Sequence, residues 1–254
     1  MATTSPSGNA EPRIQVGPPT QRTLERRGHR LPSWGLKLAM AVSGIVGVAF
    51  VAIHLFGNLK VFQGADAFNG YAIWLSEAFY PLLPKGLLLW LTRIVILVAL
   101  MVHVVAAAMI WVRGRWGRGG HGVRKRGLAS WGAWLMPLTG VAVLAFVVVH
   151  LMDLTWGVKP VAPTGFRHPH DGTAHAYQNL IASFARPLVA WFYVATMVLL
   201  SLHVAKGFGT LAVDLGVMGR RLKAGLSLLG GLLAVAILLG NAAIPIFVQA
   251  GWLS

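Results

Sequence analysis

The run Ser43-Gly-Ile-Val-Gly-Val-Ala-Phe-Val-Ala-Ile-His54-Leu55 carries no charge, ends on a histidine, and returns closely as Thr139-Gly-Val-Ala-Val-Leu-Ala-Phe-Val-Val-Val-His150-Leu151. Each copy lies in an apolar stretch, 36–59 and 131–152, long enough to cross a hydrocarbon core of ~30 Å as a helix. A weaker echo, Leu100-Met-Val-His103-Val104 against Leu200-Ser-Leu-His203-Val204, lies in two more such stretches, 86–112 and 187–208. A fifth, 222–248, has no counterpart and no histidine. Open backbone in lipid is too costly, so each stretch must satisfy its own hydrogen bonds as a helix. The sequence therefore predicts an all-α integral membrane protein of five transmembrane helices, the first four arranged as two repeated hairpins.

Composition agrees. Of 254 residues, 56% are hydrophobic and 11% charged, where a soluble domain carries about 25% charged residues. The net charge of +15 would suggest nucleic acid on a soluble protein. Here the Lys and Arg cluster in short loops between spans, so no nucleic-acid partner is expected. With no cysteine, thiolate-held iron–sulfur clusters and covalently attached haem are excluded.

Loop charge sets the expected orientation. Arg22, Arg26, Arg27, Arg30 and Lys37 precede or open the first span; Arg113, Arg115, Arg118, Arg124, Lys125 and Arg126 follow the second; Lys206, Arg220, Arg221 and Lys223 follow the fourth. The other two loops mix signs. The positive-inside rule puts the amino terminus in the cytoplasm and the carboxy terminus outside a bacterial cytoplasmic membrane. Residues 1–35 read as a mobile cytoplasmic tail, with no apolar signal segment before Leu36, and 36–248 as the membrane domain. After the first span, Phe68, Tyr71, Ile73, Trp74 and Leu75 suit a helix lying in the interface. The Gly- and Pro-rich loop holding His168, His170 and His175 lacks a carboxylate or Cys pattern for metal and reads as solvated.

Ionisable groups inside a bilayer mark a site by default. One intramembrane histidine is often just hydrogen-bonded to a neighbouring helix; four, one per helix, are harder to dismiss. At ~1.5 Å rise per residue, His54 and His150 lie ~25–30 Å from the inner ends of their helices, while His103 and His203 lie ~24–25 Å from their outer ends. Two pairs follow, His54 with His150 outside and His103 with His203 inside. That is the layout of two b-type haems, each iron held by two axial imidazoles. Ser43, Gly44, Gly47, Thr139 and Gly140 leave room for a flat macrocycle or for a close helix neighbour. Arg93 and Arg186, towards the outer ends of their helices, are candidate partners for haem propionates or quinone.

One histidine on each of the first four helices, Ser43-Gly44, His54-Leu-Phe-Gly-Asn58, Gln63-Gly-Ala-Asp-Ala-Phe-Asn69 and His203-Val-Ala-Lys-Gly207 together resemble one family. It is the single-subunit, di-haem cytochrome b that anchors succinate:menaquinone oxidoreductases (succinate dehydrogenases) and quinol:fumarate reductases. The resemblance runs from about residue 37 to 248. It implies a flavoprotein subunit that does the succinate chemistry and an iron–sulfur subunit docked on the cytoplasmic face. Electrons would enter at the inner haem and leave from the outer haem to menaquinone, making this chain non-catalytic towards succinate itself. It also implies an acidic residue after the first helix for proton exchange with quinone, for which Glu77 is the placed carboxylate. Some relatives carry a Glu beside the fourth-helix ligand; here Ser201 and Leu202 stand there, and that proton route is in doubt. Respiratory bc-type and nitrate-reductase-type cytochromes take two ligands from one helix, a layout absent here. Two alternatives share the remaining features: a cytochrome b attached to another quinol-linked enzyme, such as a hydrogenase or formate dehydrogenase, and a haem-free membrane protein with hydrogen-bonded histidines.

Overall fold

The computed structural model describes residues 31–116, 128–170, 172–217 and 219–254, with side chains from 135 onward in the second segment. The basic residues expected at 22–30 and 118–126 lie outside the described residues. All regular structure described is helical: α1 Ser33–Asn58, α2 Ala65–Glu77, α3 Leu87–Trp116, α4 Leu128–His150, α5 Ala176–Phe184, α6 Pro187–Asp214 and α7 Arg220–Gln249. A 3-10 turn, Leu59–Gln63, extends α1, and a π turn, Leu151–Thr155, extends α4. Five segments are long and apolar enough to cross a membrane: Ser33–Gln63, Leu87–Trp116, Leu135–Thr155, Pro187–Asp214 and Arg220–Gln249.

These cover the five expected spans but outrun them. The third helix continues past residue 112 to Trp116, and the sixth past 208 to Asp214. Hydropathy marks only the part of a helix that lipid would cover, whereas backbone bonding continues into the headgroup region. The expected interfacial helix is α2. The short α5 was expected as loop; it begins after the Gly- and Pro-rich stretch, and Tyr177, Leu180 and Phe184 give it one buried face.

Surface character fits a lipid environment. In the apolar windows of the first three spans 17%, 6% and 11% of residues are buried, against 33% in the last two. Most of the apolar surface of α1, α3 and α4 therefore faces outward. Exposed tryptophans gather at the two ends: Trp34, Trp111 and Trp116 at the end where α1 begins, and Trp74, Trp90, Trp156, Trp191 and Trp252 at the other. Such belts sit at headgroup level.

Within the bundle α1 packs on α3, α4 on α6, and α6 most extensively on α7, which also touches α1. At the near end, Lys37 pairs with Asp214 at 3.0 Å. The main core lies at the far end, where Tyr177, Leu180 and Phe184 of α5 close over Phe146, Tyr193, Met197, Ala242 and Val248. Asn69 of α2 accepts the Tyr177 backbone N–H at 3.0 Å and donates to Gln178 at 3.0 Å, tying the two short helices together. At the far end of α1, Asn58 donates to Asn241 Oδ1 at 2.8 Å, and Asn241 in turn donates to the Ile237 carbonyl at 3.0 Å. Intramembrane side-chain bonds of this kind average about 0.6 kcal/mol. Asn241→Leu is expected to destabilise the detergent-solubilised protein by about that amount, up to about 2 kcal/mol. The midpoint of denaturant unfolding followed by tryptophan fluorescence checks it; an unchanged midpoint would show that this bond contributes nothing.

Candidate functional site

The helix packing brings the four intramembrane histidines together in two facing pairs. His54 of α1 and His150, the last residue of α4, have ring centroids 5.9 Å apart with planes at 81°. His103 of α3 and His203 of α6 stand 6.3 Å apart at 68°. Each pair spans helices whose backbones make at most marginal contact with each other. His103 sits against Met40 and Ser43 of α1, so the two pairs lie about 16 Å apart along the helix axis.

An imidazole nitrogen sits ~2.0–2.1 Å from a bound metal, so two imidazoles opposed across one ion have ring centroids about 6.3 Å apart. Both pairs come close to that value. Edge-to-face aromatic packing covers the same range. Among the described residues no group of three or more His, Cys, Asp or Glu side chains gathers. A protein site for a bare zinc ion needs three or four such ligands, whereas haem iron needs only one or two axial ligands from the protein. Two imidazoles are the number of axial ligands that a six-coordinate haem iron takes from a protein.

The inner pair is oriented from behind. His103 Nδ1 lies 3.0 Å from the Met40 carbonyl, which only accepts, so Nδ1 carries the proton and Nε2 the lone pair. Ser43 Oγ lies 3.5 Å from the same nitrogen and donates to the Ala39 carbonyl at 2.6 Å. His203 Nδ1 lies 3.1 Å from Thr139 Oγ1. The Thr139 hydroxyl proton is directed to the carbonyls of Leu135 and Met136 at 2.9 and 3.1 Å, so its oxygen accepts from His203 Nδ1–H. Each Nε2 is left as the nitrogen that carries the lone pair. A Cβ at Gly44 would stand 3.2 Å from His103 Cε1, a tight contact, and one at Gly140 would stand 3.4 Å from His203 Cε1, about the ordinary contact distance. Of the two uses expected for the small residues, the close neighbour holds at these two; a Cβ at Gly47 would meet nothing within 4 Å.

The outer pair is held differently. Phe50 stacks on His54 at 5.4 Å, and Phe146 and Tyr193 flank His150 at 5.6 and 6.1 Å. His150 Nδ1 is buried with no hydrogen-bond partner, an expensive state for a polar atom.

The other candidate residues are dispersed. Arg93 is exposed, its guanidinium 5.0 Å from the Trp90 ring. Glu77, the last residue of α2, pairs with Lys85 of the loop before α3 at 2.6 Å. Neither touches an imidazole among the described contacts. Arg186 is bound to Asp153 at 2.7 Å, together with Ser183 and the Val161 carbonyl. His168, His170 and His175 do not converge: His168 packs edge-on to Phe166, His170 bridges Thr173, and His175 precedes α5. The sequence reading missed Asp153, Ser183 and Tyr193 around His150. Their signal was a carboxylate three residues after a buried histidine, in a chain with only 7 acidic residues.

Compared with known proteins, the chain matches no family model, no curated sequence and no solved structure.

Outside the spans, the hydrogen bond and charge of Glu77 raise the Lys85 ammonium above its ordinary pKa. Glu77→Gln is expected to return Lys85 towards the ordinary lysine value, readable by NMR of 13C-methylated lysines; an unmoved titration would mean that the ion pair does not persist in solution.

Proposed function

We propose that the chain is a di-haem cytochrome b, the membrane-anchor subunit of a succinate dehydrogenase that delivers electrons from an iron–sulfur subunit to menaquinone. One observation carries the reading: two pairs of facing imidazoles at two depths, with the inner pair's Nδ1 atoms engaged by helix carbonyl and hydroxyl groups. His54 and His150 would hold the outer haem, His103 and His203 the inner one. Each haem, when bound, supplies one-electron redox chemistry at an iron saturated by two imidazoles, which favours electron transfer over oxygen binding.

The chain's own residues support this in three ways. Ser43-Gly44 on α1 cradles His103 of the returning helix, and Thr139-Gly140 on α4 cradles His203 in the same manner. That correspondence favours two repeated hairpins, each contributing one ligand to each haem. The ligands bridge helices that otherwise stay apart, so a flat group between the hairpins would join them without displacing existing packing. The basic end, with Arg113, Arg115, Arg220, Arg221 and Lys223, is taken as cytoplasmic. There it would face the iron–sulfur and flavoprotein subunits, with menaquinone reacting at the outer end. The identity of the attached enzyme rests on the sequence resemblance, and fumarate reduction is the same assembly run in reverse.

Purified protein is expected to contain two haems b per chain by pyridine haemochrome assay. His150→Ala and His203→Ala should each remove one component of the reduced-minus-oxidised α band, and co-purifying subunits should include a flavoprotein and an iron–sulfur protein. No α band would end the haem reading; two haems with different partners would end only the succinate assignment.

If quinone takes its protons outside, electrons crossing outward respond to the membrane potential at ~2.3 kcal/mol per charge per 100 mV. Succinate–menaquinone activity in sealed, energised vesicles should then fall on adding uncoupler. Activity indifferent to uncoupler would contradict an outer quinone site.

A further inference from the structure

Three residues past His150 lies an ion pair whose carboxylate is buried and whose guanidinium is partly exposed. Asp153 is 0% exposed and sits in the π turn Leu151–Thr155, which directly follows the histidine. Single π turns in long helices recur at functional sites. The carboxylate is surrounded by donors: Arg186 Nη2 gives to Oδ1 at 2.7 Å, and Ser183 Oγ and the Tyr193 hydroxyl give to Oδ2 at 2.5 and 3.0 Å. Arg186 also donates to the Val161 and Ser183 carbonyls at 2.6 and 3.2 Å. The cluster thus fastens the end of α4 to the loop, to α5 and to the start of α6.

Its reach extends to the imidazole. The Tyr193 ring, anchored through its hydroxyl on Asp153, stands edge-on to His150 at 6.1 Å, to Phe146 at 5.2 Å and to Phe184 at 4.8 Å. A ligating histidine is normally oriented by a hydrogen bond to its second nitrogen. His103 and His203 have such bonds, whereas His150 Nδ1 has none. The plane of His150 is then set by what packs against it, and among the described residues Tyr193 is the one ring in contact that is itself fixed by a hydrogen bond.

We propose that Asp153 is a positioning residue for the outer haem, fixing the plane of its ligand His150 through Tyr193 where the inner ligands are fixed by hydrogen bonds of their own. The proposal rests on reading His54 and His150 as axial ligands. Nearly perpendicular imidazole planes leave two iron d orbitals close in energy, and a ferric low-spin centre then gives a strongly anisotropic electron paramagnetic resonance line. The ring angles of 81° and 68° predict such lines from both haems in the wild-type protein, the outer one identified by its loss in His150→Ala.

In Asp153→Asn the outer line is expected to move towards lower anisotropy while the inner line stays in place. Tyr193→Phe keeps the ring and the fold but cuts the link to Asp153, and should move the outer line in the same direction by less. The variants are compared in the intact complex at matched haem content, so the reading is independent of turnover. An outer line unmoved in Tyr193→Phe, or inner and outer lines moving together in Asp153→Asn, would overturn the proposal while leaving the haem assignment intact. A wild-type protein without low-spin lines would overturn the ligand assignment and the proposal with it.

Discussion

A neutral imidazole carries one donor and one acceptor, and hydrocarbon satisfies neither. Placing four of them inside a bundle this poor in polar groups constrains everything around them. At His103 and His203 the constraint is met on one side by groups already present in helices, a carbonyl and a threonine oxygen. Glycines follow Ser43 and Thr139, so the rings pack closely against the backbone there. The helix packing at that depth follows: small residues where a neighbour's ring must lie flat, and hydroxyls whose own protons are turned back into their helix. What remains at that depth is a pair of Nε2 lone pairs, the atoms to which the proposed haem would bind.

The same constraint explains why the ends of the bundle differ. At the near end the inner histidines are set by short-range bonds between adjacent helices of a hairpin. At the far end α4 stops at His150, and its continuation as a π turn carries Asp153 into the protein rather than into solvent. A buried carboxylate needs a cation and further donors, and Arg186, Ser183 and Tyr193 provide them from α5 and α6. The far-end core of Phe146, Phe184, Tyr193 and Val248 is organised around that cluster. The fifth span, which has no histidine, packs along α6 and reaches α1 through Asn241.

Much of this was legible in the sequence. Apolar length located the five spans because lipid tolerates little else, and helical rise alone put the histidines at two depths. The repeat of Ser43–Leu55 at Thr139–Leu151 pointed to equivalent positions, though not to their partners. Ser43 and Thr139 act on residues 60 and 64 positions away in the chain, a relation that only helix packing reveals. Asp153 was read as loop because the apolar run ends just before it, and hydropathy cannot show a π turn folding back. Arg186 was recognised as unusual, but its observed partner is that unrecognised carboxylate. Arg93 stood out for its depth, yet it stacks on Trp90 of its own helix at an exposed face. Single-residue depth fixes height in the bilayer and not direction around the helix.

Two haems held as proposed would put one iron between each facing imidazole pair. An electron cryo-microscopy map of the detergent-solubilised protein would then show two planar densities, each with a central peak, one between His54 and His150 and one between His103 and His203. Imidazoles in direct contact with nothing between them, at either depth, would contradict the proposal.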